Sequence, residues 1–247
     1  MRRLLLITVA LVASNTFAVF PVRAEADDSA ALFQKGNTEF ADGNFKDAIA
    51  NYEAVVKSGE WSGNLFYNLG NAYYRDHDFG RAILNYERAL RIEPHHPEAE
   101  ANLRLTREKT HALELPLSLP ERYLGPIDPS FLAIATATLF WFAIILLVIR
   151  TRGRALAGAI ICLVLCTACT FALYSIESGV KGNGGAVTVE ENTEARIATA
   201  DSARSILALP AGSEVLILQP RGDWSYATLP NDQRGWIPAK AAEQIRL

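Results

Sequence analysis

The chain has 247 residues, half of them apolar, and a formal net charge of −3 at neutral pH. That balance excludes both the basic footprint of nucleic-acid binding and a long acidic disordered tail, so no nucleic-acid partner is expected. The three cysteines, Cys162, Cys166 and Cys169, all fall inside one apolar run, which suits neither a disulfide framework nor a zinc site.

Met1-Arg2-Arg3 precede an apolar stretch from Leu4 to Phe20, and Val22-Arg23-Ala24 offers small residues of the kind a signal peptidase accepts. Residues 1–24 read as a secretory signal cleaved after Ala24. The rival reading is an uncleaved anchor, because the stretch is close to spanning length and Pro21 and Arg23 sit awkwardly beside a cleavage site. Both readings export residue 25 onward.

Residues 25–113 carry an internal repeat. An offset of 34 aligns Gly36 with Gly70, Asn37 with Asn71, Phe40 with Tyr74, Phe45 with Phe79, Ala48 with Ala82, Ile49 with Ile83 and Tyr52 with Tyr86. That period belongs to tetratricopeptide repeats, expected here at about 29–62 and 63–96. The spacing has a cause: Gly70 and Ala82 allow close helix approach, Tyr73, Phe79 and Tyr86 fill the gaps, and Pro94 ends the unit. Asn44 and Asp78 stand where helix N-caps are needed. The first copy is looser, with Lys35 in place of leucine and Gly59-Glu60 in place of the proline. Residues 97–113 read as a capping helix. Two repeats and a cap are few, so the domain is expected to lean on a partner or on its own dimer.

In repeats of this kind the first helix of each unit lines a concave groove. That register assigns Phe33, Asn37 and Phe40 from the first copy, and Tyr67, Asn71, Tyr74 and Arg75 from the second. Asparagine pairs with an extended peptide backbone, and aromatics supply contact area at small entropic cost. The protein-binding candidates are therefore Asn37, Tyr67, Asn71, Tyr74 and Arg75, with Phe33 and Phe40 assigned to packing between repeats.

Residues 114–130 form a connector in which Pro116, Pro120, Pro126 and Pro129 forbid a continuous helix and favour an extended path. Residues 131–149 and 155–176 are uncharged runs of about 28 and 33 Å as helices, each long enough to span a bilayer. The turn between them, residues 150–154, holds Arg150, Arg152 and Arg154, whereas the far flanks carry Asp128, Glu177 and Lys181. The positive-inside rule places that turn in the cytoplasm and both flanking regions outside, in agreement with the signal. Neither run has a polar face at helical spacing, which argues against two core helices of a soluble protein.

After a joint at residues 177–185, with Gly182-Asn183-Gly184-Gly185 expected to be flexible, residues 186–247 alternate in the manner of strands. Those expected are Ala186–Glu190, Ala195–Ala198, Ser213–Gln219, Trp224–Leu229 and Gly235–Pro238, joined by turn-rich links as in a small antiparallel barrel. Ala211-Gly212-Ser213-Glu214-Val215, Gly222-Asp223-Trp224 with Tyr226, and Gly235-Trp236-Ile237 make this region resemble the bacterial SH3-like domain. It departs from that family at Ala195–Thr199, where the loop that shapes the ligand groove has a different sequence. Trp224, Tyr226 and Trp236 are candidates for a ligand face binding peptide or cell-wall stems. Aromatics at strand positions more often fill a barrel core, and that reading is favoured for Trp224 and Trp236.

The expected fold is thus a multidomain membrane protein with an all-α tetratricopeptide domain, a transmembrane helical hairpin and a small all-β SH3-like barrel. Signal, repeats, hairpin and SH3-like domain in that order resemble the BatE-type proteins of the bacterial aerotolerance (Bat) group. The resemblance implies neighbours with von Willebrand A-type domains and a MoxR-type ATPase, in a complex linked to envelope integrity or stress. No nucleophile elbow, metalloprotease helix or phosphate loop is present, and His95-His96 lacks companion ligands, so no catalytic residue, cofactor or metal is expected. Two functions stay open. One is a non-enzymatic scaffold that recruits other membrane or periplasmic proteins through the repeat groove at the bacterial inner membrane. The other is a tethering or sensing module that grips peptidoglycan through the SH3-like domain.

Overall fold

A computed structural model describes residues 23–117, 119–124, 129–149, 153–179 and 182–246. The expected signal up to residue 22 and the turn residues 150–152 lie outside the described residues. Five helices open the described chain: α1 (Arg23–Ala41), α2 (Phe45–Lys57), α3 (Gly63–Arg75), α4 (Phe79–Ile92) and α5 (Pro97–Thr110). They pack in sequence as helix pairs, and the 34-residue period is visible in the contacts. A Cβ on Gly36 would lie 2.6 Å from the Tyr52 ring, and one on Gly70 would lie 2.7 Å from the Tyr86 ring. At these two positions a hydrogen is the side chain that lets the paired helices meet.

Asp78 caps α4 by accepting from the Arg81 amide at 3.0 Å, and Ser62 caps α3 by accepting from the Leu65 amide at 3.1 Å. Asn44 does not cap α2. Its side-chain amide donates to Glu39 instead, at 2.9 Å. The cap of α5 is a histidine: His96 accepts from the Ala99 amide through Nδ1 at 3.3 Å.

The C-terminal region is one antiparallel sheet of seven strands: β1 (Gly185–Thr188), β2 (Thr193–Arg196), β3 (Ser205–Leu209), β4 (Glu214–Arg221), β5 (Trp224–Thr228), β6 (Arg234–Pro238) and β7 (Ala242–Gln244). Their order is β3-β2-β6-β5-β4-β1-β7. Ala186, Ala195, Leu209, Val215, Ala227, Leu229 and Ile237 form its core. β4 runs through Pro220 and Arg221, so its hairpin with β5 has a two-residue loop, Gly222-Asp223, with Gly222 at φ +57.

The sheet and the repeats share a core. Val187, Val189 and Ile245 are buried in the same cluster as Tyr73, Ile83 and Leu84 of the helices. Gly80 of α4 lies so close to Val189 that a Cβ there would come within 2.8 Å of its backbone. Arg88 donates to the carbonyls of Gln244 at 2.8 Å and Ile245 at 3.3 Å, and Arg81 pairs with Glu243 at 3.1 Å. The short helical stack therefore leans on the chain's own sheet, where a partner or a dimer was expected.

Three further α-helices lie between the repeats and the sheet among the described residues: α6 (Leu119–Leu124), α7 (Pro129–Ile149) and α8 (Gly153–Glu177). α7 and α8 are long and apolar enough to cross a membrane. They pack antiparallel, joined at one end by the buried Leu132, Ala172 and Ile176. The expected extended connector instead contains α6, with Pro120 in its first turn, a position that costs no intrahelical hydrogen bond. Across the expected joint, the Asn183 amide donates to the Glu177 carbonyl at 2.8 Å, and Arg246 pairs with the Glu177 carboxylate.

Candidate functional site

The side of the repeat layer formed by α1, α3 and α5 carries a cleft of about 270 Å³, lined by Phe40, Asn71, Tyr74, Arg75, Tyr86, Asn102, Leu105 and Thr106. The sheet rests on α4 and does not enter it. Asn71, Tyr74 and Arg75, read from the repeat register, meet there. Phe40, assigned by sequence to packing, also lines the cleft. Asn37 and Tyr67 do not.

An asparagine network repeating at the same interval explains that division. Tyr52 donates through its hydroxyl to Asn37 Oδ1 at 2.8 Å, and Asn68 donates to the same oxygen at 3.0 Å. One unit later, Tyr86 donates to Asn71 Oδ1 at 2.8 Å and Asn102 does so at 2.9 Å. Burial pushes the Tyr52 phenol up to about 12 and raises that of Tyr86 as well, so both remain O–H donors near neutrality. Each asparagine thus has its oxygen committed to the fold. The Nδ2 of Asn71 donates to no other described residue and is left for the cleft. Tyr67 packs between Tyr86, at 6.3 Å between ring centroids, and His96, at 4.8 Å.

Aromatic pairs hold the rim. Phe40 meets Phe45 at 5.5 Å, and Tyr74 meets Phe79 at 5.4 Å, both edge to face. Arg75 lies over the Phe45 ring at 4.6 Å, and the Lys109 ammonium lies over Phe79 at 4.4 Å. The cleft therefore combines apolar walls, one free amide donor and the Arg75 cation fixed by an aromatic face, with Lys109 held over Phe79 nearby. Leu105, within the expected capping helix, is more than half exposed and forms an open apolar wall.

On the sheet, Trp224, Tyr226 and Trp236 are half-buried and share the face opposite Ala227 and Ile237, which fill the core. The expectation that Trp224 and Trp236 belong to the core is not met, because strand register turns these side chains outward. Tyr226 and Trp236 stack at 4.9 Å, and the Arg221 guanidinium lies 5.9 Å from the Trp236 ring.

Where the sheet meets the repeats, one arginine reaches three carboxylates. Arg107 of α5 pairs with Glu87 of α4 at 2.5 Å, with Glu114 at 3.5 Å, and with Glu214 of β4. Glu214 also accepts from the Leu115 amide at 3.0 Å, while its own amide donates to the Leu113 carbonyl at 2.8 Å. Burial, with Glu87 adding to it, raises the Glu214 carboxyl from its ordinary 4.5 to about 7, against the opposing pull of Arg107 and the Leu115 amide.

Together these features define a multidomain chain with a helical-repeat protein-interaction module, two apolar helices and an antiparallel sheet. The tetratricopeptide repeat family model matches residues 63–96, which are α3, α4 and the cap of α5. No curated protein matches the chain.

Proposed function

We propose that this chain is a non-enzymatic, membrane-anchored scaffold that offers its repeat cleft to a protein partner on the outer side of a bacterial inner membrane. The observation that carries this reading is the uncovered cleft on the α1, α3 and α5 side. Docking of the sheet on α4 stabilises a stack too short to stand alone and leaves that cleft open. A free Asn71 amide, the apolar walls Phe40 and Leu105 and the fixed Arg75 charge suit an extended peptide with an apolar side chain near an acidic group. The arginines at 150, 152 and 154 support a cytoplasmic hairpin turn and an extracytoplasmic cleft. The domain order supports a BatE-like role in an envelope or stress complex, with von Willebrand A-type proteins and a MoxR-type ATPase system as candidate partners.

The test is affinity purification from detergent-solubilised membranes, comparing the intact chain with the Asn71→Ala, Tyr74→Ala, Arg75→Ala triple variant. Proteins retained by the intact chain and lost from the variant support the scaffold. Identical retention by both sinks the cleft as the binding site.

A second reading is favoured by one observation, the outward aromatic face of the SH3-like sheet. Trp224, Tyr226 and Trp236 beside Arg221 suit the stacking of a sugar ring or a peptide stem of peptidoglycan. Retention on isolated sacculi that disappears with Trp224→Ala and Trp236→Ala would transfer the function to the wall.

A further inference from the structure

Leu119 and Tyr123 of α6 are the most exposed large apolar side chains among the described residues outside the two apolar helices. Leu119 is 70% exposed and Tyr123, four residues on, is 72% exposed, while Leu117 just before them is 40% exposed. Residues four apart share one side of a helix, so Leu119 and Tyr123 form a single apolar ridge. The opposite side is engaged. Glu121 is 3% exposed and so close to Gly179, just past the end of α8, that a Cβ on that glycine would run into its carboxylate. This contact fixes the height of α6 against the hairpin.

Two more exposed aromatics mark the same end. Phe131 lies in the first turn of α7 and Tyr174 near the end of α8, at 66% and 70% exposure. The buried Leu132, Ala172 and Ile176 show that these two helix ends are neighbours. Gly179 is five residues past Tyr174, roughly 7 Å at helical rise, which is about the thickness of one headgroup layer beyond the hydrocarbon. Tyrosine rings concentrate at that depth, where the ring meets the acyl boundary and the hydroxyl meets water. Arg122, exposed beside the ridge, supplies a cation at the level of the phosphates.

We infer that α6 is an interfacial helix, with Leu117, Leu119 and Tyr123 seated in the headgroup and glycerol layer of the leaflet at which α7 begins and α8 ends. The occupant of this surface is phospholipid, because α6 packs at Gly179 against the same end of the hairpin where Phe131 and Tyr174 stand exposed. The inference rests on the reading of α7 and α8 as membrane spans. It assigns α6 a task neither span performs: it sets the distance between the bilayer and the repeats, whose last helix ends at Thr110.

The test uses the full chain with Cys162, Cys166 and Cys169 replaced by alanine, reconstituted into phosphatidylethanolamine and phosphatidylglycerol vesicles. Single nitroxide labels are placed at Leu119→Cys, Tyr123→Cys, Ile160→Cys on the outer surface of α8, and Lys35→Cys on α1. The ratio of collisions with oxygen to collisions with a water-soluble nickel chelate reports depth. At positions 119 and 123 the ratio is expected to be several-fold above that at 35 and several-fold below that at 160. Ratios at 119 and 123 equal to that at 35, with 160 deep, overturn the inference and leave the spans intact. Shielding of 119 and 123 from both reagents also overturns it, because a protein contact would then cover the ridge. A ratio at 160 as low as that at 35 overturns the spanning reading itself.

Discussion

Asn102 donates to Asn71 Oδ1 at 2.9 Å, reproducing one repeat later the 3.0 Å bond from Asn68 to Asn37. The bond makes α5 the first helix of a third unit that is never closed by a second. It ties successive units together through side chains while leaving one amide of Asn71 free. Replacing Asn71 with alanine strands the Tyr86 hydroxyl and the Asn102 amide, and a loss of about 1–3 kcal/mol in unfolding free energy is expected. Asn51→Ala, which removes only an exposed bond to Asp47, is expected to stay within about 0.5 kcal/mol of the parent. Denaturant unfolding of the solubilised chain measures both.

Arg107 is the counter-charge for Glu87 and Glu214, and removing it leaves two largely buried carboxylates facing each other. Arg107→Met is expected to cost about 3–5 kcal/mol, the range found when one partner of a buried pair is deleted. Adding Glu87→Gln and Glu214→Gln to that variant is expected to recover most of the loss, because the carboxylate that remains, Glu114, is exposed to solvent. If the triple variant is no more stable than the single one, the junction is held by something other than this cluster.

The same cluster makes docking respond to pH. Burial, with the Glu87 charge beside it, holds the folded Glu214 near 7, where an unfolded glutamate stands near 4.5. A raised folded value means that the docked state takes up a proton. The stabilisation is complete below about 4.5 and is lost as pH rises through 7. Unfolding free energy is expected to fall by up to about 3 kcal/mol from pH 4.5 to pH 8, and Glu214→Gln is expected to flatten this dependence. A parent profile as flat as that of the variant would remove Glu214 from the account.

Gly80 and Gly43 separate contact from conformation. A Cβ at position 80 meets the Val189 backbone, whereas one at position 43 meets nothing but must adopt φ +83. Gly80→Ala is expected to lift the sheet from α4 and speed amide exchange at Val189, whose N–H donates to the Ala241 carbonyl. Gly43→Ala is expected to cost about 1 kcal/mol, the strain of a left-handed residue, without changing that exchange.

What the sequence made legible was periodic. The 34-residue offset located the repeats, and two uncharged runs located α7 and α8. Alternation found most of the strands but missed β3, an edge strand, and β7, whose Ala242-Glu243-Gln244 is too short and polar to show a pattern. It also could not say which face of β5 and β6 points inward, so Trp224 and Trp236 were assigned to the core. Docking was invisible for a different reason: Arg88 and Ile245 are 157 residues apart, and no local signal encodes such a meeting. The Asn68–Asn102 offset was available as one more match to the period, and it would have marked α5 as a third unit.

The shared core also imposes an order on the making of the protein. Ile245 seals the face of α4, yet a ribosome adds it long after the repeat helices and both apolar helices have been made. Until then the repeats carry an open greasy surface that a holdase or a protease can recognise. A chain that breaks off anywhere between α5 and β7 keeps that surface for good, so incomplete copies advertise themselves for removal.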